Sequence, residues 1–219
     1  MGSNAISLAA RRSDWPRKVL VWLGCAVLVV LGVRFYGRAV WNYVHFDAAH
    51  YSSFWKARWW LVAHLCGGSM ALLLGPLQFS GWMRRRYVKA HRWMGRLYLA
   101  GVLVASIAAV YMALWVAASR AFGVALLYLD LAWVVTSGMG YVSALRRQFG
   151  AHKEWMIRSY VVTFAFVLFR WMSDDLNLYG KLGEDAQLVM LVWLAWAVPL
   201  LLTEVVLQWR RSVGAHGKR

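Results

Sequence analysis

Proline is scarce in this chain, with three in 219 residues, and charged side chains make up only 16% of it, while 61% of residues are hydrophobic. So little proline and charge excludes a linker-rich or disordered protein, and the apolar excess fits one helical membrane unit better than a soluble domain. There are two cysteines, Cys25 and Cys66, both inside apolar runs. That excludes a disulfide scaffold, and their setting is that of small packing residues. Acidic residues are also few, nine against 25 lysines and arginines, for a formal charge of +16. In a hydrophilic chain such a charge would indicate nucleic acid. Here the charges cluster between apolar runs, which excludes nucleic acid as the partner. A phosphate-binding glycine loop and a Ser/His/Asp order are both missing, since the glycines lie inside apolar stretches.

Six apolar stretches are present, near Val19–Val40, Trp59–Phe79, Trp93–Ala118, Phe122–Leu145, Trp155–Met172 and Gln187–Trp209. A hydrocarbon core of about 30 Å needs about 20 apolar residues in helix, so the expected fold is all-α, a six-span integral membrane domain covering residues 1–219. Four segments, Arg11–Lys18, Arg84–Arg96, Arg146–Arg158 and Arg210–Arg219, hold 18 of the 25 basic residues, while Asp47, Asp174, Asp175, Glu184 and Asp185 fall on the other side. The positive-inside bias therefore places both termini in the cytoplasm of a bacterial inner membrane. The partners expected of the basic loops are the bilayer and its anionic lipid headgroups. The first span is too long for a signal-peptide core and reads as a retained anchor.

An internal repeat organises these spans. The third opens with His91 and then Trp93, Met94, Arg96 and Tyr98; the fifth opens with His152 and then Trp155, Met156, Arg158 and Tyr160. Spans two and three thus form one hairpin and spans four and five another of the same orientation, which predicts a four-helix core flanked by the first and sixth spans. In that arrangement His91 and His152 stand diagonally at the cytoplasmic end.

The candidate residues follow from position. In span two, His64, Gly68, Ala71, Gly75 and Gln78 share one helix face, whose small residues admit either a neighbouring helix or a flat ligand. His64 with Gly68, and His91 with Gly95, each place a glycine one turn from a histidine. Two imidazoles on diagonal helices, His91 and His152, suit the iron of a b-type haem, with Arg96, Arg158 or the Arg84–Arg86 run at its propionates. Asp130 lies roughly nine residues into span four, and an intramembrane acid is a site candidate by default. His64 and Arg170 share its half of the membrane, so these groups, with Gln78, form a candidate buried polar or transport path. Arg170 also has a structural reading, an ion pair with Asp174 one turn on. Arg34 and Arg38 read as interfacial anchors, and His45, Asp47 and His50 as a weak metal-ligand run.

The stretches HLCGGSMALLLGPLQF, HRWMGRLY and HKEWMIRSY, with the later Arg170, resemble the bacterial membrane proteins grouped as domain of unknown function 2306 (DUF2306). The resemblance covers roughly residues 58–172. It implies a multi-span membrane protein and a set of candidate residues, and carries no activity with it. More loosely, the chain is similar to cytochrome b561-type proteins, which have six spans and core histidines on four helices. Span four here has no histidine, which favours one haem over two.

Three function classes remain. One is electron transfer with haem or a quinone and a redox partner; the second is a small, proton-coupled transporter; the third is a non-catalytic membrane subunit. A lipid-modifying enzyme is least favoured, because Asp174, Asp175 and Asn177 are only a fragment of a metal-diphosphate site.

Overall fold

A computed structural model describes residues 15–175 and 183–216. Arg11, Arg12, Asn177, Lys218 and Arg219 lie outside the described residues. All regular structure among the described residues is helical. Helix α1, Trp15–Phe35, runs on into a π turn, Tyr36–Val40, and a 3-10 turn, Trp41–Val44. Asp47 caps the short α2, Ala48–Tyr51, by accepting from the backbone N–H groups of Ala49 and His50. A 3-10 segment, Ser52–Ala57, leads into α3, Arg58–Gln78. Ser80 caps the basic α4, Gly81–Arg86, which precedes α5, Val88–Trp115. Ser119 caps α6, Arg120–Leu145, and α7, Phe149–Thr163, follows. The chain ends in α8, Ala165–Asp175, and α9, Glu184–His216, whose first turn carries Glu184 and Asp185 at the positive end of the helix dipole.

Five helical stretches are long and apolar enough to cross a membrane: Trp22–Val44, Ala48–Gln78, Val88–Trp115, Arg120–Leu145 and Glu184–Val213. The stretch expected as a single span, Trp155–Met172, is instead α7 and α8, interrupted at Phe164. The Thr163 hydroxyl donates to the carbonyl of Ser159 one turn back, a side-chain bond that competes with the helix ladder and bends helices. Outward-facing positions are aliphatic: Val27, Leu103, Ile107 and Leu201 are each more than half exposed. The interior is built of small residues, Ala71, Ala105, Ala165 and Ala195, around Tyr98 and Trp133. Apolar outside with small and polar groups inside is the distribution a helix bundle takes in lipid.

The most extensive packing joins α3 to α5. Helix α6 packs on α5 and α7, α7 touches α3, α9 lies on α6, α7 and α8, and α1 leans on α8. Helices α3 and α5 approach closely at Gly67 of α3, where an added Cβ would stand 2.5 Å from the carbonyl oxygen of Gly101 and 2.9 Å from the backbone nitrogen of Ala105.

Between α6 and α7 the chain turns through a Schellman cap. Gln148 N–H donates to Ser143 O and Arg147 N–H to Ala144 O, with Arg147 at φ 57°. Glycine normally occupies this left-handed position. Arg147→Gly is therefore expected to stabilise the protein by about 1 kcal/mol, measured by thermal unfolding in detergent. A loss of stability would show that the arginine side chain more than offsets its backbone strain.

Candidate functional site

The helices line a partly open cavity of about 540 Å³. Its walls are mostly apolar: Leu61 and Leu65 from α3, Met112 from α5, Phe122 and Leu126 from α6, and Phe166 from α8. Phe35, the last residue of α1, and Tyr43 beyond it also line the cavity. Three of the polar groups singled out from sequence meet here, His64 from α3, Asp130 from α6 and Arg170 from α8.

Each has a distinct environment. His64 Nδ1 lies 3.0 Å from the Ala105 carbonyl oxygen, which can only accept, so Nδ1 carries the proton and Nε2 is left as an acceptor. Its ring meets Phe166 edge to face at 5.6 Å, fixing the plane. Asp130 is 8% exposed, and its Oδ1 makes no hydrogen bond; the Ser106 hydroxyl is its polar neighbour but lacks bonding geometry. An unpaired carboxyl at this depth costs a few kcal/mol, which marks the position as more than packing. Arg170 stands at the rim and reaches Asp174 at 3.6 Å, as its spacing suggested. Beside it Asp175 binds Arg34 at 2.6 Å and Arg38 at 3.3 Å, so those two arginines tie α1 and the π turn after it to α8.

The glycines of α3 divide the work. Gly67 makes the contact with α5, whereas Gly68, the one that shares a face with His64, has open space above it and lines the cavity. Lower on the same face Gly75 lies under the Tyr160 ring, and the Tyr160 hydroxyl donates to Leu72 O at 3.2 Å.

His91 and His152 sit at the opposite end, near the Arg84–Arg86 run, and do not line the cavity. They lie close enough for their charges to interact. Nδ1 of His91 is buried and unpartnered, while His152 Nδ1 donates to Gly140 O at 2.8 Å. Gln78 is nearby, its Oε1 3.4 Å from where a Cβ on Gly95 would be, and its Nε2 is also unpartnered. The repeated Trp and Arg make the same local contact twice: the Arg96 guanidinium lies 5.1 Å from the Trp93 ring centre and that of Arg158 4.8 Å from Trp155. Beyond this the copies diverge. Arg96 is exposed, whereas Arg158 is buried and held by Glu204 of α9 at 2.5 and 2.8 Å, with Glu154 3.7 Å away and Arg211 paired to Glu154 in turn. Arg158, one of the guanidiniums expected at a propionate, is thus committed to two carboxylates, while Arg96 is exposed.

Sequence reasoning passed over the polar centre of the bundle. The Tyr98 hydroxyl, fully buried, lies 2.7 Å from Ser159 Oγ and 2.8 Å from Thr163 Oγ1. Ser137 Oγ reaches Ser159 Oγ at 2.7 Å, and Trp133 Nε1 donates to Thr163 Oγ1 at 2.8 Å. The available signal was the spacing of Ser159 and Thr163, one turn apart on the face that carries His152.

Among the described residues no group of three or more His, Cys, Asp or Glu side chains is placed to hold a metal. The His45, Asp47, His50 run is used otherwise. Asp47 caps α2 and takes His50 Nδ1 at 2.7 Å, and the backbone and ring N–H groups of His50 hold its carboxyl below the usual carboxylate range.

Residues 61–207 match the family described as predicted membrane protein, DUF2306. The chain belongs to this family. Apart from Phe35 and Tyr43, every residue assigned above to the cavity, and both histidines at the other end, falls within the part shared with DUF2306 proteins. No curated protein and no solved structure shows significant similarity to the chain.

Proposed function

We propose that this membrane protein binds a hydroquinone of the quinone class in the cavity, with His64 and Asp130 as its polar contacts. The supporting observation is a pair of hydrogen-bond acceptors, His64 Nε2 and the Asp130 carboxylate, left unpaired on α3 and α6 in the wall of an otherwise apolar chamber. A hydroquinone carries two hydroxyl donors at opposite ends of a flat apolar ring and is delivered through lipid. A volume of about 540 Å³ lies within the range of small-molecule sites. Taken with α7 and α8 as one interrupted span, this reading has six spans, and α9 adds Leu191, Val192 and Ala195 to the core that the sequence assigned to four helices. The basic loops face the cytoplasm of a bacterial inner membrane.

Haem between His91 and His152 is the weaker reading. It has in its favour the unpartnered Nδ1 of His91. Against it, Arg158 is already paired and neither histidine reaches the cavity. An oxidised-minus-reduced visible spectrum of the purified protein decides between the two.

The quinol reading is tested by titrating detergent-solubilised protein with a short-chain ubiquinol and following tryptophan fluorescence, since Trp133 is in the cavity wall. Saturable binding is expected, weakened tenfold or more in Asp130→Ala, which removes a charged acceptor worth about 1.5–3 kcal/mol to a donor, and several-fold in His64→Ala, which removes a neutral one worth about 1 kcal/mol. Unchanged affinity in both variants would refute the assignment.

A further inference from the structure

The buried hydroxyls have a property beyond cohesion. Thr163 Oγ1 accepts from Trp133 Nε1, which can only donate, and its own proton goes to the Ser159 carbonyl at 2.8 Å. With Thr163 set in this way, the Tyr98 hydroxyl must donate to Thr163 and accept from Ser159, and Ser159 must accept from Ser137. The donors therefore all point the same way, from Ser137 on α6 through Ser159 and Tyr98 to Thr163. Turning the Thr163 proton to Tyr98 instead reverses every bond in the chain and leaves each link intact. A chain with two oppositely polarised, bonded arrangements is what proton hopping requires, since passage of one proton converts the first arrangement into the second and rotation of the hydroxyls restores it.

The ends of this chain lie in different places. Thr163, with Trp133, is part of the cavity wall. Ser137 is one turn from Gly140, whose carbonyl holds His152, and His152, Met156, Ser159 and Thr163 succeed one another at spacings of four, three and four on α7. We propose that Ser137, Ser159, Tyr98 and Thr163 form a proton path into the cavity from the end that carries the basic loops. Thr163 turns its proton from the Ser159 carbonyl to an acceptor in the cavity, Tyr98 replaces it, Ser159 and Ser137 each pass one on, and a hydronium ion reaching the Ser137 end supplies the last and is left as water. Proton relays are a common use of polar groups within membrane bundles. The path does not depend on the cavity ligand being a quinol.

The test places a pH indicator in the cavity. Gly68→Cys, in a background of Cys25→Ser and Cys66→Ser, is labelled with a mercurated nitrophenol, which is yellow as the phenolate and bleaches on protonation. In proteoliposomes of one orientation, acid is added rapidly on the side of the basic loops. We expect bleaching that is slowed at least tenfold by Tyr98→Phe and by Ser137→Ala, with the response to acid on the opposite side unchanged. Ser137→Ala decides alone if Tyr98→Phe fails to assemble, since it leaves the bonds of Tyr98 in place. Rates unaltered by the substitutions, or slowed equally from both sides, would overturn the proposal.

Discussion

Gly67→Ala is expected to destabilise the protein by about 3 kcal/mol, the upper end of what overpacking typically costs. The new methyl group would meet the carbonyl oxygen of Gly101 and the backbone nitrogen of Ala105, and neither can rotate away. Helices α3 and α5 would have to separate along the most heavily packed pair in the fold. That pair also carries His64 and the carbonyl that orients it, so cavity geometry should suffer with stability. Unfolding in detergent mixtures, compared with Gly68→Ala, is the check. At Gly68 nothing lies within 4 Å of the added carbon, and the expected change is within about 0.5 kcal/mol. Equal losses at the two neighbouring glycines would show that backbone contact is not what selects glycine at 67.

Glu204→Ala is expected to cost about 2 kcal/mol. Removing one partner of a buried ion pair leaves the other charge uncompensated, an effect of roughly 3–5 kcal/mol when both are fully buried. The side chain of Glu204 is 40% exposed and Glu154 remains 3.7 Å from Arg158, so solvent and the second carboxylate offset part of the loss. The double variant Arg158→Met with Glu204→Met should recover most of it, because two apolar side chains can replace a paired charge at little cost. Both values come from the same unfolding measurement. A Glu204→Ala variant as stable as the parent would mean that the pair merely occupies space between α7 and α9.

The parts of the fold set by length and polarity were legible in the sequence. Apolar run length gave the helices, and depth within those runs gave His64, Asp130 and Arg170 a common level, where the structure brings them to one cavity. What could not be read depended on facing surfaces. Gly67 and Gly68 are adjacent in sequence, and only the position of α5 distinguishes a helix contact from a cavity wall. Arg158 and Glu204 are 46 residues apart on helices that the repeat does not relate, so periodicity gave no reason to pair them. The repeat implied equivalent arginines, yet Arg96 faces outward where its counterpart is covered by α9. The interruption at Phe164 stayed hidden because Ser159 and Thr163 are tolerated within membrane helices, and their effect shows only once the Thr163 hydroxyl is seen bonded to the preceding turn.

The proposed hydroquinone site beside His64 and Asp130 is tested by the binding isotherm of a Gly68→Phe variant for a short-chain ubiquinol. The open space at Gly68 lets a phenyl ring enter the chamber without displacing backbone. The variant is expected to unfold at about the parent temperature and to lose quinol binding at concentrations that saturate the parent. Parent-like affinity in a variant with the chamber filled would contradict the proposed site.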